Sequence, residues 1–254
     1  MRIQYASDIH LEQVDNRCFM AKSPFTVTGD VLVLAGDTFP LKDYDIFSRH
    51  TWFDWCSANY LETLIVPGNH EYYGSIVDEY PGSWERELRH NVHMCQNKCV
   101  ILNGVEFILS TMWTHIPPRD WLHVRRGIRD FTDIRTTAGS FTAADYNALH
   151  QHDMAFIKGA VVSSEAEHKV VVTHHLPSKL CLAPEFKHSD IVNGFVVDLT
   201  DYIKKSDIDV WIHGHTHRSV DAMIGNTQVV SNQVGYVLYR EYKENFNRSK
   251  YIEV

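Results

Sequence analysis

Five apolar runs along the chain each end in a cluster of polar residues. RIQYA at 2–6 leads into SDIH, and DVLVLA at 30–35 leads into GDT. The second run is continuous, as expected of a strand buried on both faces of a sheet. TLIV precedes PGNHE, KVVVT at 169–173 precedes HHLP, and DVWI at 209–212 precedes HGHTH. Each run predicts a β-strand with polar chemistry at its C-terminal end.

Between these strands the pattern changes. Aromatic and apolar positions recur at roughly helical spacing from Tyr44 to Tyr60, and WERELRHN at 84–91 predicts a short helix. CVILNGVEFILSTMW alternates around Asn103-Gly104, a hairpin signal, and SVDAMI and TQVVSN around Gly225-Asn226 predict another. Pro117 to Arg135 has weak periodicity and predicts irregular chain with a helical piece. Thr142 opens a helix running to Val162 with a fair N-cap pattern, and YIEV closes the chain. No repeat or Gly/Ser linker divides the sequence, so a single domain over 1–254 is expected. In open α/β sheets the loops beyond the carboxyl ends of the strands converge on one edge, which can bring the polar clusters together. The expected fold class is α/β, with two stacked mixed sheets flanked by helices.

Composition narrows the partners. Hydrophobic residues make up 44% and charged residues 22%, ordinary for a globular protein. No apolar stretch approaches the roughly 18–20 residues that span a bilayer, so no membrane insertion is expected. MRIQYASDIH lacks the h-region of a signal peptide, and Cys18, Cys56, Cys95, Cys99 and Cys181 are scattered. Reduced thiols and a cytoplasmic location are expected. A net charge of −8 argues against an extended nucleic-acid footprint. The sixteen histidines are the one oddity.

They cluster at the strand ends: Asp8 and His10, Asp37, Asn69 and His70, His174 and His175, then His213, His215 and His217. In an extended segment residues i and i+2 point the same way, so Asp8 with His10, and His215 with His217, can each aim two groups at one point. Imidazole, carboxylate and amide donors without thiolate suit Mn, Fe, Zn, Co or Ni better than calcium or a structural zinc. The donors exceed the four of one tetrahedral ion, so two metals are implied, and Asp37 could bridge them. Gly36, Gly68 and Gly214 precede three clusters, where the missing Cβ permits close approach.

In order, Asp8-Ile9-His10, Gly36-Asp37, Gly68-Asn69-His70-Glu71, His174 and Gly214-His215-Thr216-His217 resemble the DxH, GD, GNHE, H and GHxH blocks of the calcineurin-like metallophosphoesterases. The chain looks like the small bacterial members of that family. The resemblance implies a four-layer α/β/β/α sandwich holding two divalent or trivalent ions. Asp8, His10 and His217 would bind one metal, Asn69, His174 and His215 the other, and Asp37 both. A hydroxide shared by the metals would attack a phosphodiester or phosphomonoester of a small molecule or nucleotide, diester preferred. His70, beside Asn69, would stabilise the transition state or protonate the leaving oxygen. Two divalent ions, less two carboxylates and a hydroxide, leave about +1 at the centre, enough to attract phosphate to an acidic chain.

Departures from the family shape the alternatives. TFPL follows Gly36-Asp37, and no Arg-Gly pair leads into His174, so a protein Ser/Thr phosphatase is the less favoured enzyme. A non-catalytic scaffold on the same fold is the other alternative, although such scaffolds tend to have lost ligands. His175 is expected as a neighbour of His174 or its replacement, and His213 as a hydrogen-bonded support. His115 and the Arg125, Arg126, Arg129 cluster are candidates to face substrate. Glu71 is expected to orient His70 or cap a helix, and Asn232 and Tyr236 to line the cleft. His50, His90, His93, His123, His150, His152, His168 and His188 carry no spacing argument and are expected at the surface.

Overall fold

The computed structural model describes residues 1–22 and 24–254. β1 (Arg2–Ala6), β2 (Val31–Ala35), β3 (Glu62–Val66), β4 (Trp84–Arg89), β5 (Val92–Gln96) and the closing β14 (Tyr251–Glu253) form a six-stranded sheet ordered β14-β1-β2-β3-β5-β4. β6 (Lys98–Leu102), β7 (Val105–Leu109), β10 (His168–Val172), β11 (Val210–Ile212), β12 (Asp221–Ile224) and β13 (Thr227–Val230) form a second, ordered β12-β13-β11-β10-β7-β6. β8 (Arg135–Thr136) and β9 (Gly139–Ser140) make a separate small hairpin. Central pairs are parallel and the outermost pairs antiparallel, so both large sheets are mixed.

Period-two alternation builds the layers. Ile3, Tyr5 and Val33 of the first sheet share a buried cluster with Phe107, Val170 and Val172 of the second, which stacks the sheets face to face. Leu32, Leu34 and Ile65 point the other way, onto Trp52, Phe53 and Cys56 of the helix Thr51–Asn59. On the far side, Ile108, Val171 and Trp211 pack against Met154 and Ile157 of the helix Ala143–Ser163 and Ile203 of the helix Thr200–Lys205. Each aliphatic side chain so buried contributes about 1.5–3 kcal/mol. The result is the expected sandwich of two mixed sheets flanked by helices. Among the described residues no helix is long and apolar enough to cross a membrane.

Three elements differ from expectation. Residues 84–89 are an edge strand, not a helix: β4 pairs with β5, and Arg89 reaches back to Asp54 (2.6 Å) and to the Ser48 carbonyl (2.6 Å). Strand pairing overrides the helix preference of Glu and Arg, and the charges suit a sheet edge. The expected helix 44–60 is interrupted: a turn of helix at Tyr44–Phe47 precedes Thr51–Asn59, whose N-terminus is capped by Nδ1 of His50 accepting the Trp52 N–H at 3.2 Å. The helix Val14–Lys22 has no apolar stripe, burying only Asn16 and Met20, and so gives no periodic signal. By contrast Thr142 caps Ala143–Ser163 as expected, with a full capping box to Asp145.

Candidate metal centre

Beyond β1, β2, β3, β10 and β11 the chain leaves each strand sharply. Asp8, His10, Asp37, His215 and His217 are held at φ of 56°, 49°, 56°, 83° and 55°. A left-handed non-glycine residue costs about 1–3 kcal/mol, and such strain persists where surrounding structure enforces it. Here the enforcing bonds run between loops: Asp8 N–H to the Gly36 carbonyl (3.0 Å), His10 N–H to that of Asp37 (2.9 Å) and Gly214 N–H to that of His174 (2.9 Å). The extended i, i+2 geometry expected for the two pairs is therefore not what is found. Asp8 and His10 still converge, but His215 and His217 turn to opposite halves of the site.

Among the described residues two groups of donor atoms, each mutually within 4.8 Å, gather at opposite halves of the site, Asp8, His10 and His217, and Asp37, His174 and His215, and a third, His10, Asp37 and His70, overlaps them. Nε2 of His10 lies 3.2 Å from Nε2 of His217, which is 3.5 Å from Oδ1 of Asp8. In the other group Nε2 of His174 lies 3.1 Å from Nδ1 of His215 and 3.0 Å from Oδ1 of Asn69. Asp37 stands between, with Oδ1 3.3 Å from His174 and Oδ2 3.8 Å from His10. The glycines make this crowding possible: a Cβ on Gly68 would lie 2.2 Å from Oδ1 of Asp37, and one on Gly36 would lie 2.2 Å from Nδ1 of His174. They make room for the donor side chains.

The outward atoms of these groups are already committed. Nδ1 of His174 donates to the Ala35 carbonyl (2.9 Å), Nδ1 of His10 faces Glu12 (3.0 Å) and Nδ1 of His217 faces Glu241 (2.7 Å). With Nδ1 donating, each Nε2 presents a lone pair inward. Asn69 donates its amide to Asp130 (2.8 Å) and to the Tyr73 hydroxyl (3.1 Å), which leaves its oxygen, also an acceptor, facing His174. Acceptors opposed at 3.0–3.3 Å are satisfied either by a proton on Nε2 of His174 or by a bound cation among them. The donor set therefore fits bound metal ions, and carboxylate or carbonyl partners on the outer nitrogens are the usual support of metal-binding histidines.

The electrostatics agree. Burial opposes charge on His174, yet Asp37 overcomes it and raises its pKa to about 10. Burial likewise opposes charge on His70, where Asp37 and Glu12 raise it to about 9. Asp37 is held well below the carboxylate range, because His174, His70 and His10 outweigh its burial. The centre thus favours positive charge beside Asp37.

His70 projects at the edge of the pair, Nε2 4.0 Å from Oδ2 of Asp37 and Nδ1 3.5 Å from Glu12. It lines a cavity of about 400 Å³ that opens onto the donors. Tyr236 lines it too, its ring stacked 4.7 Å from that of His10.

Other candidates fall elsewhere. His175 is fully buried with its ring 4.4 Å from that of His215, and burial together with His174 pushes its pKa down to about 3; it packs beside the donors without joining them. His213 is also buried and pushed down to about 4, with Nδ1 3.2 Å from the Gly214 carbonyl. His115 is exposed and lies against His150, away from the cavity. Arg125 and Arg126 stay outside, and Arg129 reaches the rim while paired to Asp133 (2.5 Å). Asn232 does not line the cleft: its amide donates to the Tyr5 and Asn247 carbonyls at 2.9 and 2.8 Å. Glu71 neither orients His70 nor caps a helix. Its buried carboxylate accepts the N–H groups of Asp37, Thr38, Phe39 and Gly68, binding the second and third loops together. Of the histidines expected at the surface, His50 is a helix cap, His93 sits between Glu62 (3.3 Å) and Glu85 (2.9 Å), and His150 bonds the Trp113 carbonyl (2.6 Å).

Glu12, Asp130 and Glu241 escaped the sequence reading. Glu12, two residues past His10, offered a signal in its position; Asp130 and Glu241 lie far along the chain from the groups they hold, and only folding brings them there.

Comparison with known proteins matches these features. A model of the calcineurin-like phosphoesterase family matches residues 1–219. An uncharacterized protein of Acanthamoeba polyphaga mimivirus is 26% identical over 282 aligned residues, covering 100% of this chain and 97% of that protein. The crystal structure of phosphopantetheinyl hydrolase from Mycobacterium tuberculosis superposes with a TM-score of 0.70 at 15% identity, covering 99% of this chain and 95% of that one. Five sequence blocks in order, two mixed sheets with donors gathered at one edge, and a family match over most of its length together establish that this chain belongs to the calcineurin-like phosphoesterases.

Proposed function

We propose that the protein is a dinuclear metal-dependent phosphoesterase acting on a small ester, with phosphodiesters preferred to monoesters. The carrying observation is Asp37, whose two oxygens face different donor groups: Oδ1 faces His174 and Oδ2 faces His10. Asp8, His10 and His217 would hold one ion and Asn69, His174 and His215 the other, with Asp37 shared. Mn, Fe, Zn, Ni and Co all suit the donors. Two bound ions supply Lewis acidity toward the phosphoryl oxygens and lower the pKa of water toward neutrality.

The chain's own residues do the rest. Glu12 and Glu241 fix the imidazoles of His10 and His217 with Nε2 inward. Asp130 and Tyr73 turn the Asn69 oxygen toward His174. His70, with Nδ1 3.5 Å from Glu12, stands at the cavity where its imidazole can donate a proton to the departing oxygen. A centre of about +1 attracts the anionic phosphoryl group of either ester.

Residues 1–254 are taken as one domain, because β12, β13 and Glu241, beyond the family match, complete the second sheet and the support of His217. The five cysteines are free, which accords with a reducing cytoplasmic setting. Protein loaded with Mn or Fe should hydrolyse bis-p-nitrophenyl phosphate faster than p-nitrophenyl phosphate. Turnover of neither, with both ions bound, would instead support a non-catalytic scaffold.

A further inference from the structure

The cavity beside the donors has two unlike sides. One carries the metal-binding groups and His70. The other is formed mainly by the apolar Ile128, Leu182, Phe186, Ile191, Val192 and Phe195, with Ser189 its polar member. Phe195 packs its ring 4.8 Å from that of His215, so the apolar wall begins directly against a proposed ligand. Phe186 is 47% exposed and Ile191 and Val192 are only partly buried, which leaves apolar surface facing the opening.

Charge decides what can lie there. Among the described residues that line the cavity Arg129 is the one Arg or Lys, and it is engaged by Asp133 and stacked over Tyr73 at 5.8 Å. A second phosphate laid along residues 182–195 would lose its hydration and meet, among the described lining residues there, one hydroxyl, that of Ser189, and no cation, which is costly. An uncharged apolar group loses nothing and gains burial. At about 400 Å³ the cavity is near the small end of small-molecule sites, so one compact group fills it.

We infer that, given the phosphoesterase reading above, the substrate carries a single phosphoryl group esterified to an uncharged, predominantly apolar body that rests on the wall formed by Ile128, Leu182, Phe186, Ile191, Val192 and Phe195. Dinucleotides and polyphosphates are disfavoured, and Arg125 and Arg126 take no part.

The test uses manganese-loaded full-length protein and methyl n-alkyl phosphates from ethyl to octyl, as competitors of bis-p-nitrophenyl phosphate. Inhibition should tighten about fourfold per methylene, the equivalent of burying one such group, over the first several carbons. The same chain ending in an ammonium should bind at least about tenfold more weakly than its neutral counterpart, because its charge is desolvated without a partner. In Phe186→Ser the increment per methylene should fall. A series flat in chain length, equal binding of the ammonium compound, or an unchanged slope in the variant would each overturn the inference. If no chromogenic ester turns over, the phosphoesterase reading fails by itself. Calorimetric binding of octyl against ethyl methyl phosphate then decides the inference: tighter octyl binding sustains it and equal affinity ends it.

Discussion

Asn69 donates an amide N–H to the buried carboxylate of Asp130 at 2.8 Å, and this bond fixes which end of the amide faces His174. Without it, oxygen and nitrogen could exchange places, and the nitrogen offers no ligand. Asp130→Ala should therefore weaken metal binding by about 10–100-fold at the site shared by Asn69, His174 and His215. The other site should change far less. Stepwise titration with Mn, followed by elemental analysis, distinguishes the two. Loss of both ions together would show that Asp130 supports the whole rim.

Removing Asp37 strikes both donor groups at once, since each of its oxygens faces one of them. Asp37→Ala is expected to abolish turnover together with metal retention. His70→Ala should slow turnover by about 10²–10⁴-fold, the range of a positioned proton donor, while metal content stays at the wild-type level. Equal metal loss in the two variants would contradict this division of roles.

Glu71 gathers four backbone N–H groups from two loops into one buried carboxylate, including those of Asp37 at 3.0 Å and Gly68 at 2.6 Å. Glutamine at this position has a single acceptor oxygen, and its own N–H groups would confront the donors that remain. Glu71→Gln should lower stability by about 1–3 kcal/mol, since at least one buried donor loses its partner. For a chain of this size that is a fall of several degrees in Tm, at about 2–4 °C per kcal/mol. Chemical denaturation of the metal-free protein measures it without interference from metal loss. An unchanged urea midpoint would mean that the loops hold each other without this carboxylate.

The strand ends and their donors were legible because both signals are local. An apolar run such as DVLVLA can hardly be anything but a buried strand, and a polar cluster following it has to lie at the strand's end. What was not legible depends on pairing across the fold. WERELR reads as helix until β5 offers it an edge, and the helix Val14–Lys22 buries too little to show a period. The same holds at the site. Candidate donors could be read at Asp8, His10 and Asn69, but the left-handed turns that send His215 and His217 to different halves are tertiary, as is the reach of Asp130 and Glu241. Glu71 was misread for a related reason: its neighbour in sequence is His70, whereas its partners are the amides of another loop.

His150 offers a test of pH dependence away from the donors. Burial pushes its pKa below the ordinary 6.5, while its bond to the Trp113 carbonyl and the charge of Asp153 work upward, and His115 and Lys158 add to the lowering. The unfolded chain therefore takes up a proton near pH 6.5, and the folded protein does so only at lower pH. Between these values the unfolded state binds more protons, so acidification favours it and stability falls with pH. One group can contribute at most about 1.4 kcal/mol per pH unit, and a partly exposed one contributes less. In His150→Gln, which retains a donor for Trp113, this contribution disappears. Its stability at pH 7.5 and at pH 5.5, by urea denaturation, should differ less than that of the wild type. An identical difference in the two proteins would show that His150 takes its proton equally well folded and unfolded.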